Sequence, residues 1–338
     1  MIDSSTSKRI NEIIESGESA VILTHRNPDG DAIGSSTALA IYLRKRNVPV
    51  NIIIPNDVPD FLKWLPGCDM ITIFKNDSTR CRELVNDAGT LFFLDFNEPD
   101  RVEELKEEIL SSTANKILID HHQNPFDFAD IVISDTSRGS VGEMIYEFIV
   151  DLGGKELLDN DIATSLYVAI ITDTGNFRHS SSYPGVFHIV GELMNYGIEK
   201  DKIFTNVYDS YSENRMKLMG FCMLEKMTIF KEYNTAYISI TQEELQRFDH
   251  QIGDTEGFVN IPFSMVGIKF TALFIEKKGY VKISFRSKGT FSVSAFSKKH
   301  FNGGGHVNAA GGQDDGSLSD ILNKFESLLP DYEDELRD

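Results

Sequence analysis

The sequence predicts an α/β fold: a domain built on a parallel sheet with helices on both faces, followed by a smaller α+β domain. Its 338 residues suit two domains better than one compact core. In the first half, short apolar runs alternate with segments of helical periodicity, which is typical of parallel sheets. After about residue 200 this alternation gives way to several strand-like runs in succession.

The first half contains five apolar runs of strand length, largely of β-branched or aromatic residues. They are "AVILT" (20–24), "VNIIIP" (50–55), "TLFFLD" (90–95), "KILID" (116–120) and "DIVIS" (130–134). Helical spacing predicts helices at 31–46, 78–89, 100–112, 140–152, 159–172 and 185–196. Strands that alternate with helices in this way predict a parallel sheet covered by helices.

The second half begins with a stretch of helical character at 201–227, which we predict to bridge the two domains. Strands are predicted at 235–240, 268–277, 280–287 and 291–297, followed by a glycine-rich turn at 301–312 and a helix at 317–329. The acidic ending "PDYEDELRD" is expected to be a solvated tail. The predicted domain limits are therefore 1–198 for a first domain, 199–228 for a helical linker and 229–338 for a second domain.

Charge is distributed unevenly along the chain. The net charge of −19 argues against a protein that coats nucleic acid generally, because phosphate attraction needs a basic surface. Between Phe258 and Gly312, however, the acid Glu276 stands among eight cations, which are Lys269, Lys277, Lys278, Lys282, Arg286, Lys288, Lys298 and Lys299. This region suits a small anionic ligand, and it suits equally well a sheet whose exposed face is lysine-rich.

Cysteines and targeting signals restrict the class of protein further. Cys68, Cys81 and Cys222 are too scattered for a disulfide framework or a cysteine zinc site, and we expect reduced thiols. The opening "MIDSSTSKRINEII" has no apolar signal core, and no stretch approaches the length of a membrane span. We therefore expect a cytoplasmic protein without membrane contact.

Carboxylates and imidazoles follow several predicted elements of the first half. Ligands of open parallel sheets bind beyond the carboxyl ends of the strands. The candidates there are His25, Asp29, Asp31, Asp95, Asp120, His121, His122 and Asp173. Crowded carboxylates repel one another, and divalent cations remove that repulsion. Mixed imidazole and carboxylate ligands suit Mn, Fe, Co or Zn, and so many ligands fit two ions with a bridging carboxylate better than one ion.

Each of these residues also has an ordinary structural interpretation. A single aspartate at the end of a strand usually caps a helix or forms a turn, and a single histidine usually lies on the surface or in a satisfied core position. We keep that interpretation for His179, His188, His250 and His300. For the set that follows the strands we favour a metal site, because several separate strands would have to end in this way by chance.

Five motifs carry a resemblance to a known family. "THRNPDGDAIGS", the aspartate of "FFLDF", "DHH" (120–122) and "ITDTGNF" occur in order and resemble the motifs of the DHH phosphoesterase superfamily. "GGGHVNAAGG" (303–312) resembles the signature of the DHHA1 C-terminal domain. At this length the chain is similar to the bifunctional oligoribonuclease and pAp phosphatase family, the nano-RNases.

The resemblance implies a role for each site residue. It implies two divalent cations, Mn²⁺ above all, that share Asp95 as a bridging ligand. The implied ligands of one ion are His25, Asp29 and Asp95, and those of the other are Asp31, Asp95, His121 and Asp173. Asp120 would orient a ligand histidine, and His122 would contact the reacting phosphate. The implied substrate contacts in the second domain are Arg286, Gly303, Gly304, Gly305 and His306. Without the resemblance, these last residues would suggest a glycine turn and a surface arginine.

The function that the resemblance implies is metal-dependent hydrolysis of very short oligoribonucleotides to 5′-mononucleotides, together with 3′-phosphatase activity on pAp. Three alternatives stay open: a manganese-dependent inorganic pyrophosphatase, a RecJ-like single-strand exonuclease, and a nucleotide-binding module without turnover. Long duplex nucleic acid is not an expected partner, and the helical stretch at 203–228 is a candidate for a homodimer contact. The native metal among Mn, Co, Fe and Mg, the polarity of cleavage and the effect of Arg26 stay open.

Overall fold

The computed structural model describes residues 2–251 and 253–337, and the chain divides after Ser210 into two compact units. The predicted fold class is confirmed. The first unit has a parallel six-stranded sheet, and the second has a mixed six-stranded sheet. Within the described residues, every helix is too short or too polar to cross a bilayer.

The first unit contains six strands in the order β3-β2-β1-β4-β5-β6. They are β1 (Ala20–Thr24), β2 (Val50–Ile54), β3 (Ile71–Ile73), β4 (Thr90–Leu94), β5 (Asn115–Asp120) and β6 (Ile131–Ser134). Its α-helices are α1 (Ser4–Glu15), α2 (Gly30–Lys45), α3 (Ser78–Asp87), α4 (Lys106–Ser111), α5 (Val141–Asp151), α6 (Asn160–Asp173), α7 (Pro184–Met194) and α8 (Lys200–Tyr208). Successive residues of a strand point to opposite faces, so Ile22 packs into one core and Val21 and Leu23 into another.

Helices α2 and α6 approach each other closely because glycines lie at their contact. A Cβ at Gly34 would come within 2.5 Å of the Ser165 carbonyl oxygen, and one at Gly30 within 2.3 Å of the Thr172 hydroxyl. Both distances are too short for real atoms, so only glycine allows this approach. The contact brings the start of α2 and the end of α6 to the same place in the unit.

One prediction for the first unit needs correction, and one strand was missed. The segment 100–112 is not one helix: a 3-10 segment, Pro99–Leu105, precedes α4, and Glu103 interrupts it with φ 51°. Strand β3 was not predicted, because three half-buried residues are too short to show a period.

The second unit contains strands in the order β11-β12-β10-β9-β8-β7. They are β7 (Met227–Phe230), β8 (Thr235–Ile240), β9 (Phe270–Lys277), β10 (Tyr280–Ser287), β11 (Gly304–His306) and β12 (Ala309–Asp315). The α-helices are α9 (Glu213–Phe221), α10 (Gln242–Arg247), α11 (Val293–His300), α12 (Leu318–Leu328) and α13 (Glu333–Arg337). One face of the sheet packs on α11 and α12 through phenylalanine rings, among them Phe270, Phe285 and Phe325.

The predicted strand at 291–297 is wrong. Ser292 caps α11 there by accepting the N–H of Ala295 at 3.2 Å, and Val293, Phe296 and Ser297 face the core. The pattern "FSVSAFS" alternates like a strand, but the same apolar residues also fit one helical face. The glycine-rich turn is likewise a hairpin of β11 and β12, in which Gly305 pairs with Ala310.

The predicted helical stretch at 201–227 is two helices rather than one. Helix α8 ends at Tyr208, Ser212 caps α9, and β7 begins at Met227. The boundary between the two units falls inside this stretch. The acidic ending is not a tail over its described residues, because α13 buries Leu336 completely; Asp338 lies outside the described residues.

Candidate metal centre

Three neighbouring strands deliver the central side chains of the candidate site. In the sheet β4 lies between β1 and β5, and all three are parallel. His25 follows β1, Asp95 follows β4, and β5 ends at Asp120, directly before His121. These carboxyl ends share one edge of the sheet, as ligand sites of parallel sheets do.

Helices α2 and α6 add the remaining carboxylates. Asp29 caps α2, where its Oδ1 accepts the N–H groups of Asp31 at 3.0 Å and Ala32 at 3.1 Å. Asp173 is the last residue of α6, and the close packing of α6 on α2 places it beside Asp31. The side chain of Asp173 is 32% exposed, whereas that of Asp95 is 4% exposed, so the site opens toward solvent on the side of Asp173.

The ligand atoms form two groups whose members lie within 4.8 Å of one another. One group is His25, Asp29 and Asp95, and the other is Asp31, His121 and Asp173. Asp95 faces both: its Oδ2 lies 3.3 Å from His25 Nε2, and its Oδ1 lies 3.6 Å from His121 Nε2. The structure therefore brings all six predicted metal ligands together, with Asp95 between the two groups.

The backbone sets the orientation of both histidines. His25 Nδ1 lies 2.8 Å from the carbonyl oxygen of Arg26, and His121 Nδ1 lies 3.1 Å from that of Arg138. A carbonyl oxygen only accepts, so each Nδ1 carries the proton and Nε2 is the nitrogen with a lone pair in the neutral ring. Lone pairs and carboxylate oxygens then face one another. This arrangement of donor atoms fits a cation at their centre.

The pKa shifts at the site also indicate a place for a cation. Burial raises the pKa of Asp31 well above its ordinary value, and the charges of Asp95 and Asp173 raise it further. Desolvation by the surrounding residues, together with the charges of Asp29 and Asp95, raises the pKa of Asp173 to about 7, although its own side chain is 32% exposed. Burial opposes protonation of His121, but Asp95 and Asp173 outweigh it and raise its pKa. The carboxylates thus compete for positive charge, which divalent cations would supply.

Backbone hydrogen bonds and an unusual conformation fix two of the carboxylates. Asp31 is 1% exposed, and its two oxygens accept the N–H groups of Val141 at 2.6 Å and Gly142 at 2.8 Å, at the start of α5. Asp95 has φ 64°, in the left-handed region that residues other than glycine seldom occupy. Such strain is typical of functional sites, where the surrounding structure holds the residue in place.

Asp120 and His122 form a pair beside the two groups. His122 Nδ1 lies 2.7 Å from Asp120 Oδ1, and the backbone N–H of His122 donates to Asp120 Oδ2 at 3.0 Å. Asp120 is completely buried. The structure thus places Asp120 against His122, whereas the Nδ1 atoms of His25 and His121 lie against backbone carbonyls.

Sequence reasoning missed the residues that support Asp31. Glu143 is fully buried, accepts the N–H of Gly139 at 3.1 Å and is hydrogen bonded by the hydroxyl of Tyr183. Ser140 caps α5 through the N–H of Glu143 at 3.2 Å. Together they hold the start of α5 that binds Asp31. The helix predicted at 140–152 already begins here, and the spacing "SVGE", a serine three residues before a glutamate, is the signal that could have singled out Ser140 and Glu143.

In the second unit, strand register places two of the predicted substrate contacts in one row. Arg286 on β10 and His306 on β11 both pair with Ala309 of β12, which lies between them. Their side chains therefore stand on the same face of the sheet. In the adjacent row on that face, Gly311 pairs with Gly304 on one side and with Ser284 on the other.

The three consecutive glycines are not equivalent. A Cβ at Gly303 would lie 2.0 Å from the carbonyl oxygen of Gly311, and one at Gly305 would lie 2.5 Å from that of Ala309. The fold itself therefore requires these two glycines. A Cβ at Gly304, in contrast, would have no atom of the described residues within 4 Å. Packing does not explain a glycine at that position.

Comparison with known proteins identifies the family. The model of the DHH family N-terminal domain matches residues 19–170, and the DHHA1 domain model matches residues 238–331. The structure of an exopolyphosphatase-related protein from Bacteroides fragilis is 38% identical, covers 100% of this chain and 99% of its own, and has a TM-score of 0.97. The chain belongs to the DHH family of phosphoesterases and carries a DHHA1 domain, which confirms the resemblance.

Two curated relatives carry the same printed name, bifunctional oligoribonuclease and PAP phosphatase NrnA. The protein from Bacillus subtilis is 27% identical over 87% of this chain and 88% of its own. The protein from Thermus thermophilus is 29% identical over 96% of this chain and 93% of its own. Both similarities extend across the two units.

Proposed function

We propose that the protein is a metal-dependent phosphodiesterase that degrades very short oligoribonucleotides to 5′-mononucleotides and removes the 3′-phosphate of pAp. The observation that carries the proposal is the cluster of six candidate ligands. In this cluster, Nε2 of His25 and Nε2 of His121 each lie next to carboxylate oxygens, as expected for atoms that share a cation. The names of the Bacillus and Thermus relatives support the choice of substrates.

We propose two divalent cations, with Mn²⁺ as the preferred ion. His25, Asp29 and Asp95 would hold one, and Asp31, Asp95, His121 and Asp173 would hold the other. When bound, such ions supply a strong nucleophile at neutral pH and offset charge on the phosphoryl oxygens. The backbone contacts of His25 and His121 keep both rings oriented for this task.

His122 is the proposed catalytic partner of these ligands. Its Nδ1–H donates to Asp120, and this hydrogen bond fixes the orientation of the ring. A proton carried on Nε2 could then be donated to a phosphoryl oxygen or to the departing ribose oxygen. Asp120 acts through His122 and is a positioning residue.

The DHHA1 unit is the proposed source of substrate selection. The planar guanidinium of Arg286 can bind a phosphate with two parallel hydrogen bonds or stack on a base. Gly304 leaves the sheet face open beside it, and His306 in the same row as Arg286 can add a hydrogen bond. Gly303 and Gly305 shape the hairpin that presents Gly304.

The test is product analysis over time on an RNA length series, beside pAp and pyrophosphate, with Mn²⁺ and with a chelator. We expect di- and trinucleotides to become mononucleotides, pAp to release phosphate, and the chelator to stop both reactions. Intact dinucleotides and intact pAp would overturn the proposal. Cleavage of pyrophosphate alone would favour a pyrophosphatase. Rapid digestion of long single strands would favour a RecJ-like exonuclease, and binding without turnover would favour a nucleotide-binding module.

A further inference from the structure

Two arginines are joined through the backbone at the rim of the metal centre. Arg26 directly follows the ligand His25, and its carbonyl oxygen is the one that orients His25 Nδ1 at 2.8 Å. The backbone N–H of Arg26 donates to the carbonyl oxygen of Arg101 at 3.0 Å. Both side chains are exposed, so two cations that are distant in the sequence are held together through the backbone next to the ligand His25.

The backbone contact places Arg101 next to Arg26. The carbonyl oxygen of Arg101 accepts the N–H of Arg26 at 3.0 Å, one residue away from His25, and the Arg101 side chain is exposed. A guanidinium is weakly hydrated and can exchange solvent for a phosphate. The two arginines therefore offer positive charge close to a group of carboxylates, where an anionic substrate has to approach.

Glu103 pairs with the guanidinium of Arg26. Arg26 Nη1 lies 2.5 Å from Glu103 Oε1, with side chains 60% and 41% exposed. Glu103 has φ 51° and ψ −114°, which a residue other than glycine seldom adopts. An exposed ion pair contributes little to stability, so the pair alone does not explain the strained backbone. Strain of this kind is more typical of ligand sites.

We propose that Arg26 and Arg101 form an anion subsite for the phosphate next to the scissile one. In pAp this is the 5′-phosphate, and in a short oligonucleotide it is a neighbouring phosphate of the chain. The phosphate displaces Glu103 from the Arg26 fork, because a guanidinium binds the oxygens of a phosphate in a bidentate manner. The inference rests on the proposed function and names a substrate feature that the same site selects.

The experiment compares pAp with 3′-AMP, a matched pair that differs only in the 5′-phosphate. Wild type should have a higher kcat/KM for pAp. Arg26→Gln should lower kcat/KM for pAp about tenfold, mainly through KM, and should change the value for 3′-AMP little. Arg101→Gln should act in the same direction. The control is Arg80→Gln, which removes another exposed arginine that pairs with a glutamate, Glu83, and should change neither substrate.

Glu103→Gln gives a prediction of opposite sign. It removes the competitor of the phosphate, so KM for pAp should fall by about two- to fivefold while that for 3′-AMP stays constant. Equal effects of Arg26→Gln on the two substrates, or a wild type without preference for pAp, would overturn the subsite.

A failure of the proposed function can be distinguished from a failure of the subsite. If the protein with Mn²⁺ hydrolyses neither nucleotide, the proposed function fails. Calorimetric titration of the same protein with pAp and 3′-AMP then tests the subsite by binding alone. Tighter binding of pAp that Arg26→Gln abolishes would support the subsite, and unchanged binding of pAp to Arg26→Gln would overturn it.

Discussion

The two units of the chain differ in what they bury. The first unit buries charge, at the edge of its parallel sheet. Its buried ionisable side chains include His25, Asp31, Asp95, Asp120, His121 and Glu143. Among the described residues of the second unit, the buried charged side chain is Arg215, and the core between the sheet and helices α11 and α12 combines phenylalanines with aliphatic side chains. Buried charge costs free energy unless it is paired, so the first unit carries a desolvation cost at its sheet edge that the apolar core of the second unit does not carry.

The largest expected effect comes from removing one of the buried charges of the first unit, that of Asp95. Asp95→Asn removes the carboxylate between the two ligand groups and should lower kcat by about three orders of magnitude or more. Mn²⁺ should raise the Tm of the wild type, because a ligand of the native state stabilises it, and should not raise that of the variant. Activity assays and thermal unfolding with and without Mn²⁺ measure both effects. Asp127→Asn, at an exposed position of the same unit, should behave like the wild type.

Smaller losses of kcat should distinguish the role of His122 from that of Asp120, which orients it. His122→Gln should lower kcat about 10²–10⁴-fold, as expected for loss of a proton donor. Asp120→Asn should lower kcat about 10- to 100-fold, because it weakens the orientation of His122 without removing the ring. Steady-state kinetics with pAp measures both. A double variant whose loss equals that of His122→Gln alone would show that Asp120 acts through His122, and additive losses would contradict this.

In the second unit the expected effect is on substrate binding rather than on the fold. Gly304→Ala adds a methyl group where the structure has room, so the Tm should stay within about two degrees of wild type. If substrate lies on that face, KM should rise about threefold to tenfold. Gly305→Ala is the contrast, since its φ of 141° and the nearby Ala309 carbonyl make it destabilising. A lower Tm for Gly304→Ala would argue against the distinction between these glycines.

The smallest effect concerns the helix contact next to the candidate metal centre. Gly34→Ala forces α2 and α6 apart and should lower the free energy of unfolding by about 1–3 kcal/mol. Gly191→Ala is the matched control: it lies in α7 with nothing among the described residues within 4 Å, and it should stabilise by up to about 1 kcal/mol. Denaturant unfolding measures both. Similar stability of the two variants would contradict the close packing of α2 on α6.

Much of the first unit could be predicted because the strands and the candidate site residues follow one another directly in the sequence. The apolar runs at 20–24 and 90–95 mark strands, and polar residues after buried strands indicate a ligand edge. The supporting contacts could not be predicted. Glu143 and Tyr183 meet only in three dimensions, and nothing in the sequence connects Arg26 with Arg101.

The second unit was harder to predict for a physical reason. The core residues of the segment 291–297 include Phe291, Val293 and Phe296, and their spacing fits a strand or a helix equally well, so local spacing does not decide between them. At 291–297 the decision comes from tertiary contacts. Phe296 lies against the rings of Phe270 and Phe285, and Ser297 donates to the carbonyl oxygen of Gly311 at 2.6 Å.

Helix α13 has a practical consequence for handling the protein. Besides burying Leu336, it is attached by hydrogen bonds from Asn234 Nδ2 to the Leu336 carbonyl oxygen at 2.9 Å and from Lys269 Nζ to that of Arg337 at 3.1 Å. Proteolytic trimming of 333–337 would open the phenylalanine core to water and free the starts of β8 and β9. A purification handle is therefore better placed before α1 than fused directly behind α13.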